Sequence, residues 1–187
     1  MLSYQKGVVK TSVRHLVEFL FRGGDITTGS SVSASPEAML EGSRLHRKIQ
    51  RGQKATYQSE VPLKMEWQEE RYDLVLEGRA DGIDKTEVNK DRLSDVDGMN
   101  QIESNEEKLT YVDEIKCVYR DVEEIEEADI LHLAQAKCYA YMYGAKQDLE
   151  KIGVQITYCH LETEEIKRIF SVYSMDCLLY TSPSPRD

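Results

Sequence analysis

The feature that most constrains the fold is a change in the period of the apolar residues near Tyr57. Before it the spacing is helical. Val13, Leu16, Val17, Leu20 and Phe21 fall at i, i+3, i+4, i+7 and i+8 behind a capping Ser12, and Gly23 and Gly24 mark the end of that helix. Ser35, Pro36 and Glu37 place a cap, a first-turn proline and an early acid at the start of a second helix, expected to run to about Gln50. From Tyr57 the period becomes two. The segments QSEVPLKMEW, YDLVLEGRADGI and KLTYVDEIKCVY are rich in β-branched and aromatic residues and predict three strands, the first two a hairpin. A third helix over about Asp129 to Tyr143, ending at Gly144, and a fourth strand, GVQITYCHL, complete the order ααβββαβ. Mixed strands flanked by helices predict an α/β sandwich, in which polar residues at strand ends meet.

With 187 residues, 40% of them hydrophobic, the chain is long enough for one domain with a real core. The segment 84–108 holds eight acids against four bases and reads as an acidic, loop-like insertion. The ending CLLYTSPSPRD abandons all periodicity and resembles translated adapter read-through, so a single domain is expected over 1–176, with 177–187 a non-native tail and the natural chain continuing past Asp176. No stretch approaches the roughly 20 apolar residues of a membrane span. The N-terminus lacks the apolar run of a signal peptide, and the expected location is the cytoplasm. Cys117, Cys138, Cys159 and Cys177 form no CxxC pair, which predicts reduced thiols rather than a zinc knuckle or disulfide framework.

The candidate chemistry lies on two predicted strands. Asp81 stands in EGRADGI, and in VDEIKCV the alternation puts Glu114 and Lys116 on one face. Two carboxylates brought together in a core repel unless a cation sits between them, and oxygen ligands suit magnesium or manganese. Such a metal beside a lysine favours phosphodiester hydrolysis. The same residues also read as an exposed ion pair, Glu114 with Lys116, and a turn acid ahead of Gly82. His46 shares an inward helix face with Gly42, Leu45 and Ile49, whereas His15, His132 and His160 read as core or surface histidines.

Taken together and in order, EGSRLH ending at His46, GRADG around Asp81, Glu114-Ile115-Lys116, and QAKCY from Gln135 to Tyr139 resemble the RecB-like branch of the PD-(D/E)XK nuclease superfamily. The resemblance spans about Ser12 to Val172 and is strongest to the nuclease-like domain found ahead of XPD/DinG-type DNA helicases in some bacteria. It implies a restriction-endonuclease-like core, a mixed β-sheet flanked by helices. It implies Asp81 and Glu114 as metal ligands, Lys116 as the catalytic lysine and His46 as an additional ligand. Gln135 and Tyr139, at i and i+4, would bind the DNA backbone or position Lys116, and Glu60 matches an acid often carried on the first strand. The expected activity is a Mg2+- or Mn2+-dependent deoxyribonuclease, an exonuclease on single strands or ends, within a larger DNA repair or recombination protein.

Some features depart from that pattern. Many RecB-like relatives hold an iron–sulfur cluster with one cysteine before the core and three after it; here no cysteine precedes Cys117, so no cluster is expected in this fragment. Glu114 stands where aspartate is common. The formal net charge of −10 runs against backbone binding by clustered bases, unless a helicase domain in the same natural chain supplies the basic track. The alternatives from other classes are a catalytically silent nuclease fold that guides DNA or docks a protein, and an interaction domain whose acidic segments bind basic partners.

Overall fold

The computed structural model describes residues 7–21, 35–68, 70–87 and 108–181. Among them six strands and four helices follow the order β1 (Gly7–Ser12), α1 (Val13–Leu20), α2 (Pro36–Arg51), β2 (Gln58–Gln68), β3 (Tyr72–Glu87), β4 (Lys108–Val118), α3 (Ile130–Gln147), β5 (Lys151–His160), β6 (Ile166–Ser174) and α4 (Met175–Thr181). The expected mixed sheet flanked by helices is the fold. Ser12 and Ser35 cap α1 and α2 as their positions predict, each side-chain oxygen accepting at 3.2 Å from the backbone N–H three residues on. Gly23 and Gly24 lie outside the described residues.

Three elements depart from the expected order and lengths, each for a physical reason. Gly7–Ser12 is a strand because it pairs in parallel with Tyr72–Glu77 of β3, a long-range contact that its short GVVKTS pattern does not announce. α3 passes through Gly144 instead of ending there, since a side chain at that position would meet Met175 of α4, and it closes at Asp148 in the left-handed conformation (φ 53°). β6, unforeseen because charges interrupt IKRIFSVYS, pairs antiparallel with β5 across a short turn. Within the expected acidic insertion 84–108, residues 84–87 continue β3 and pair with β4 back to Lys108, while 88–107 lie outside the described residues. Part of the expected tail, 177–187, is ordered structure. Residues 177–181 complete α4, and Leu178 is fully buried against the core, where its apolar side chain is removed from water.

The spine of the sheet is β3. β2 runs antiparallel along one edge of it, while the other edge is shared, β1 pairing as far as Glu77 and β4 only from Gly82. The sheet then continues through β4, β5 and β6, with β4 and β5 parallel. The fork between Glu77 and Gly82 carries Asp81. Ala80 and Ile83 both lie in the main core cluster although they are three positions apart, so strict alternation fails at Asp81 and Gly82. Opposite, Glu60 adopts φ 57°, an irregularity of the kind that re-aims side chains at strand junctions.

The main core joins α1, α3 and α4 to one sheet face through residues such as Val13, Val17, Val112, Met142, Ile156 and Leu178. α2 covers the other face with Leu45 and Ile49 on Ile115, Cys159 and Leu161. Among the described residues no helix is long and apolar enough to cross a membrane.

Candidate functional site

The fork positions the first group of side chains. Asp81 Oδ2 accepts the backbone N–H of Ile115 at 2.8 Å, filling the gap where β1 has ended and β4 begins, and Oδ1 lies 3.2 Å from His46 Nε2. α2 contributes two residues one turn apart. His46 faces Asp81 and, at 3.7 Å through Nδ1, Glu60; Gln50 Nε2 donates at 2.9 Å both to Glu60 Oε1 and to the Asp81 carbonyl. Leu45 and Ile49, buried and each one residue before His46 and Gln50 in turn, lock the helix face that presents the pair. Glu60 also meets the Arg79 guanidinium. The bond to Asp81 holds the His46 imidazole above its ordinary pKa against the opposing effect of burial, and the charges of Asp81, Glu60 and Glu114 add to it. His46, Glu60 and Asp81 offer ligand atoms all within 4.8 Å of one another, a set able to hold a divalent cation.

The second group sits beneath α3. Glu114 is 1% exposed; its Oε1 takes the Lys116 ammonium at 2.8 Å, while Oε2 is buried without a hydrogen-bond partner. Burial first, then the charge of Asp81, push this carboxyl up to about 7, although Lys116 pulls the other way. Lys116 Nζ reaches Gln135 Oε1 at 3.3 Å. One turn further along α3, Tyr139 lies over Gly78, where an added Cβ would come within 2.7 Å of its ring, and burial followed by the Glu114 charge raises its phenol to about 12. The structure therefore brings together Glu114, Lys116, Gln135 and Tyr139 as one set, and His46, Asp81 and Glu60 as another. Glu114 interacts electrostatically with Asp81 but is engaged by Lys116, and Glu60 completes the three-residue ligand group.

Two further polar clusters flank these groups, with partners that no sequence spacing relates. Asp113 points to the face opposite Glu114, is fully buried, and accepts from Thr157 at 2.6 Å and Tyr57 at 3.1 Å; burial raises its carboxyl while these bonds oppose the rise. The Tyr57 hydroxyl occupies the space that a side chain on Gly82 would need, so the residue after Asp81 has to be glycine. In the sequence, the glycine following the acid was the available signal. At the start of α3, Tyr158 of β5 accepts the Asp129 backbone N–H at 2.9 Å and lies 3.1 Å from His132 Nδ1. Burial and then the nearby Lys116 ammonium lower His132 to about 4, which keeps it neutral.

Fold and site together define a mixed α/β domain with an acidic, histidine-containing centre at a sheet fork. No protein-family profile and no curated protein matches the chain. Among solved structures, the crystal structure of SSO0001 is similar, with a TM-score of 0.53 at 18% identity over 100% of this chain and 82% of that one. At that identity the likeness speaks for the fold alone.

Proposed function

We propose that this chain is a metal-dependent nuclease domain of the RecB-like PD-(D/E)XK type, hydrolysing phosphodiester bonds in DNA. The observation that carries the reading is the convergence at the β3–β4 fork of the His46, Glu60 and Asp81 ligand group with a buried Glu114–Lys116 pair. The donor set suits magnesium or manganese, and the unpartnered, buried Glu114 Oε2 beside Asp81 is the kind of atom a cation would satisfy. Asp81, Glu60 and His46 would hold the metal with Glu114 alongside; when bound it would polarise a phosphate oxygen and acidify a water.

The chain's own residues take the remaining roles. Lys116, fixed between Glu114 and Gln135, places a positive charge where the phosphate develops negative charge. Gln135 and Tyr139 lie on the same α3 face for contacts to the sugar-phosphate backbone. Gln50 holds the Glu60 carboxylate and the Asp81 backbone in register. In this reading the domain is single, lies in the cytoplasm, acts on single strands or ends, and is joined to a helicase that supplies the basic track a chain of net charge −10 lacks. The engagement of Glu114 by Lys116 favours a second reading, a catalytically silent fold that guides DNA.

The test is to incubate the chain and its Glu114→Gln and Lys116→Ala variants with labelled single- and double-stranded DNA in magnesium, manganese or EDTA. Metal-dependent cleavage lost in both variants is the expected result. No cleavage, together with no metal binding by calorimetry, would leave the silent reading.

A further inference from the structure

The polar side of α3 crosses the sheet in a fixed order. Tyr139 lies over Gly78 of β3, Gln135 meets Lys116 of β4, and His132 meets Tyr158 of β5. Residues 132, 135 and 139 fall at i, i+3 and i+7 and so share a helix face. Beneath them Lys116 and Tyr158 are register partners on neighbouring strands, and Tyr158 is in turn the partner of Lys167 on β6. The His132–Tyr158 pair is therefore the continuation, one strand over, of the Gln135–Lys116 pair.

The hydrogen bonds around Tyr158 favour one tautomer of the imidazole. The Tyr158 oxygen accepts the Asp129 N–H, and the buried Tyr158 O–H, with His132 Nδ1 beside it at 3.1 Å as an acceptor, is satisfied when it donates there. With Nδ1 accepting, the proton of the neutral ring sits on Nε2, and no described residue takes it. Burial and the Lys116 ammonium keep the ring neutral. The result is an oriented donor that carries no charge.

We propose that His132, aimed by Tyr158, donates its Nε2–H to a backbone phosphate of bound nucleic acid, next to the one contacted at Lys116 and Gln135. This inference rests on the nuclease reading above. An uncharged donor suits the surroundings. The β4–α3 connection carries exposed Glu123, Glu124, Glu126 and Glu127, and although the Asp129 carboxylate is turned back onto the N–H groups of Leu131 and His132, attraction at long range is weak here. A short, directional bond can still fix the register of the strand.

The experiment measures binding of a fluorescein-labelled single-stranded DNA oligonucleotide to the full chain by anisotropy, with calcium in place of magnesium, over a range of salt concentrations. His132→Asn retains a polar group at the Nδ1 position but removes the Nε2–H, whereas His132→Gln keeps an N–H near the Nε2 position. Loss of one hydrogen bond to a charged oxygen predicts about tenfold weaker binding for His132→Asn. The salt dependence should not change, since no ion pair is lost; Lys116→Ala should reduce the logarithmic salt slope by about 1. His132→Gln should bind more tightly than His132→Asn, and Tyr158→Phe should weaken binding by freeing the ring. Thermal melts check that each variant is folded. His132→Asn equal to wild type, or His132→Gln no better than His132→Asn, would overturn this inference while leaving the nuclease reading in place. A wild-type chain that does not bind DNA would overturn both.

Discussion

The carboxylate of Asp81 accepts the backbone N–H of Ile115 at 2.8 Å, closing the sheet at the one point where β3 has lost β1 and not yet gained β4. The acid expected to serve chemistry is thus also part of the sheet's hydrogen bonding. Asp81→Asn keeps an oxygen for Ile115 and should fold almost as stably as wild type while losing divalent-metal affinity. Asp81→Ala leaves the Ile115 N–H unpaired and should cost about 1–3 kcal/mol as well. Thermal melts and manganese calorimetry of the two variants separate the roles; equal stability would remove the structural one.

Glu114 makes metal-free stability depend on pH. Its folded-state carboxyl titrates at about 7, above the ordinary 4.5, because it is buried and faces Asp81. The folded state therefore holds a proton that the unfolded chain has released, and stability should fall as pH rises from about 4.5 to about 7, by roughly 3 kcal/mol. Asp113, raised by its own burial, acts with the same sign, whereas the lowered His132 acts with the opposite sign below the ordinary histidine range. Only the difference between wild type and Glu114→Gln isolates Glu114. Denaturant melts in EDTA across this range should converge at low pH and separate as pH rises, with Glu114→Gln the more stable; parallel curves would show that Glu114 titrates normally.

Much of this site was legible in the sequence because it depends on local patterns. The two-residue alternation placed Glu114 and Lys116 on one face, and helical spacing placed His46 beside Leu45 and Ile49 on the inward side of α2. What was not legible depends on long-range pairing. β1 is a strand only because Tyr72–Glu77 is there to receive it, and the break in alternation at Asp81 and Gly82 follows from the way β1 and β4 share one edge of β3. That break, with the left-handed Glu60 opposite, is what brings Glu60 instead of Glu114 into the group with His46 and Asp81. Tyr57 lies in the α2–β2 connection, Asp113 on β4 and Thr157 on β5, and no spacing in the sequence relates them.

Gly78 gives Tyr139 its place. A methyl group there would stand 2.7 Å from the Tyr139 ring, so Gly78→Ala has to displace that ring from its place over the fork. The expected cost is about 1–3 kcal/mol in wild type and clearly less when Tyr139 is already alanine. A double-mutant cycle by chemical denaturation measures the difference, and an additive result would mean that the two residues do not meet.

The ligand group makes a sharper distinction, between Glu60 and Glu114. Glu60 shares a cluster with His46 and Asp81, whereas Glu114 is engaged by Lys116. Glu60→Gln removes a charged ligand and should weaken manganese binding at least tenfold, that is, by about 1.4 kcal/mol. Glu114→Gln should weaken it less, because its carboxyl already interacts with the lysine. Binding should also tighten as pH rises, since the His46 imidazole, held above its ordinary pKa by Asp81, has to lose its proton before it can serve as a ligand. His46→Gln should flatten that dependence. If Glu114→Gln abolishes metal binding while Glu60→Gln leaves it intact, the metal belongs with Asp81 and Glu114, and the Lys116 ammonium has to swing away from Glu114 on binding.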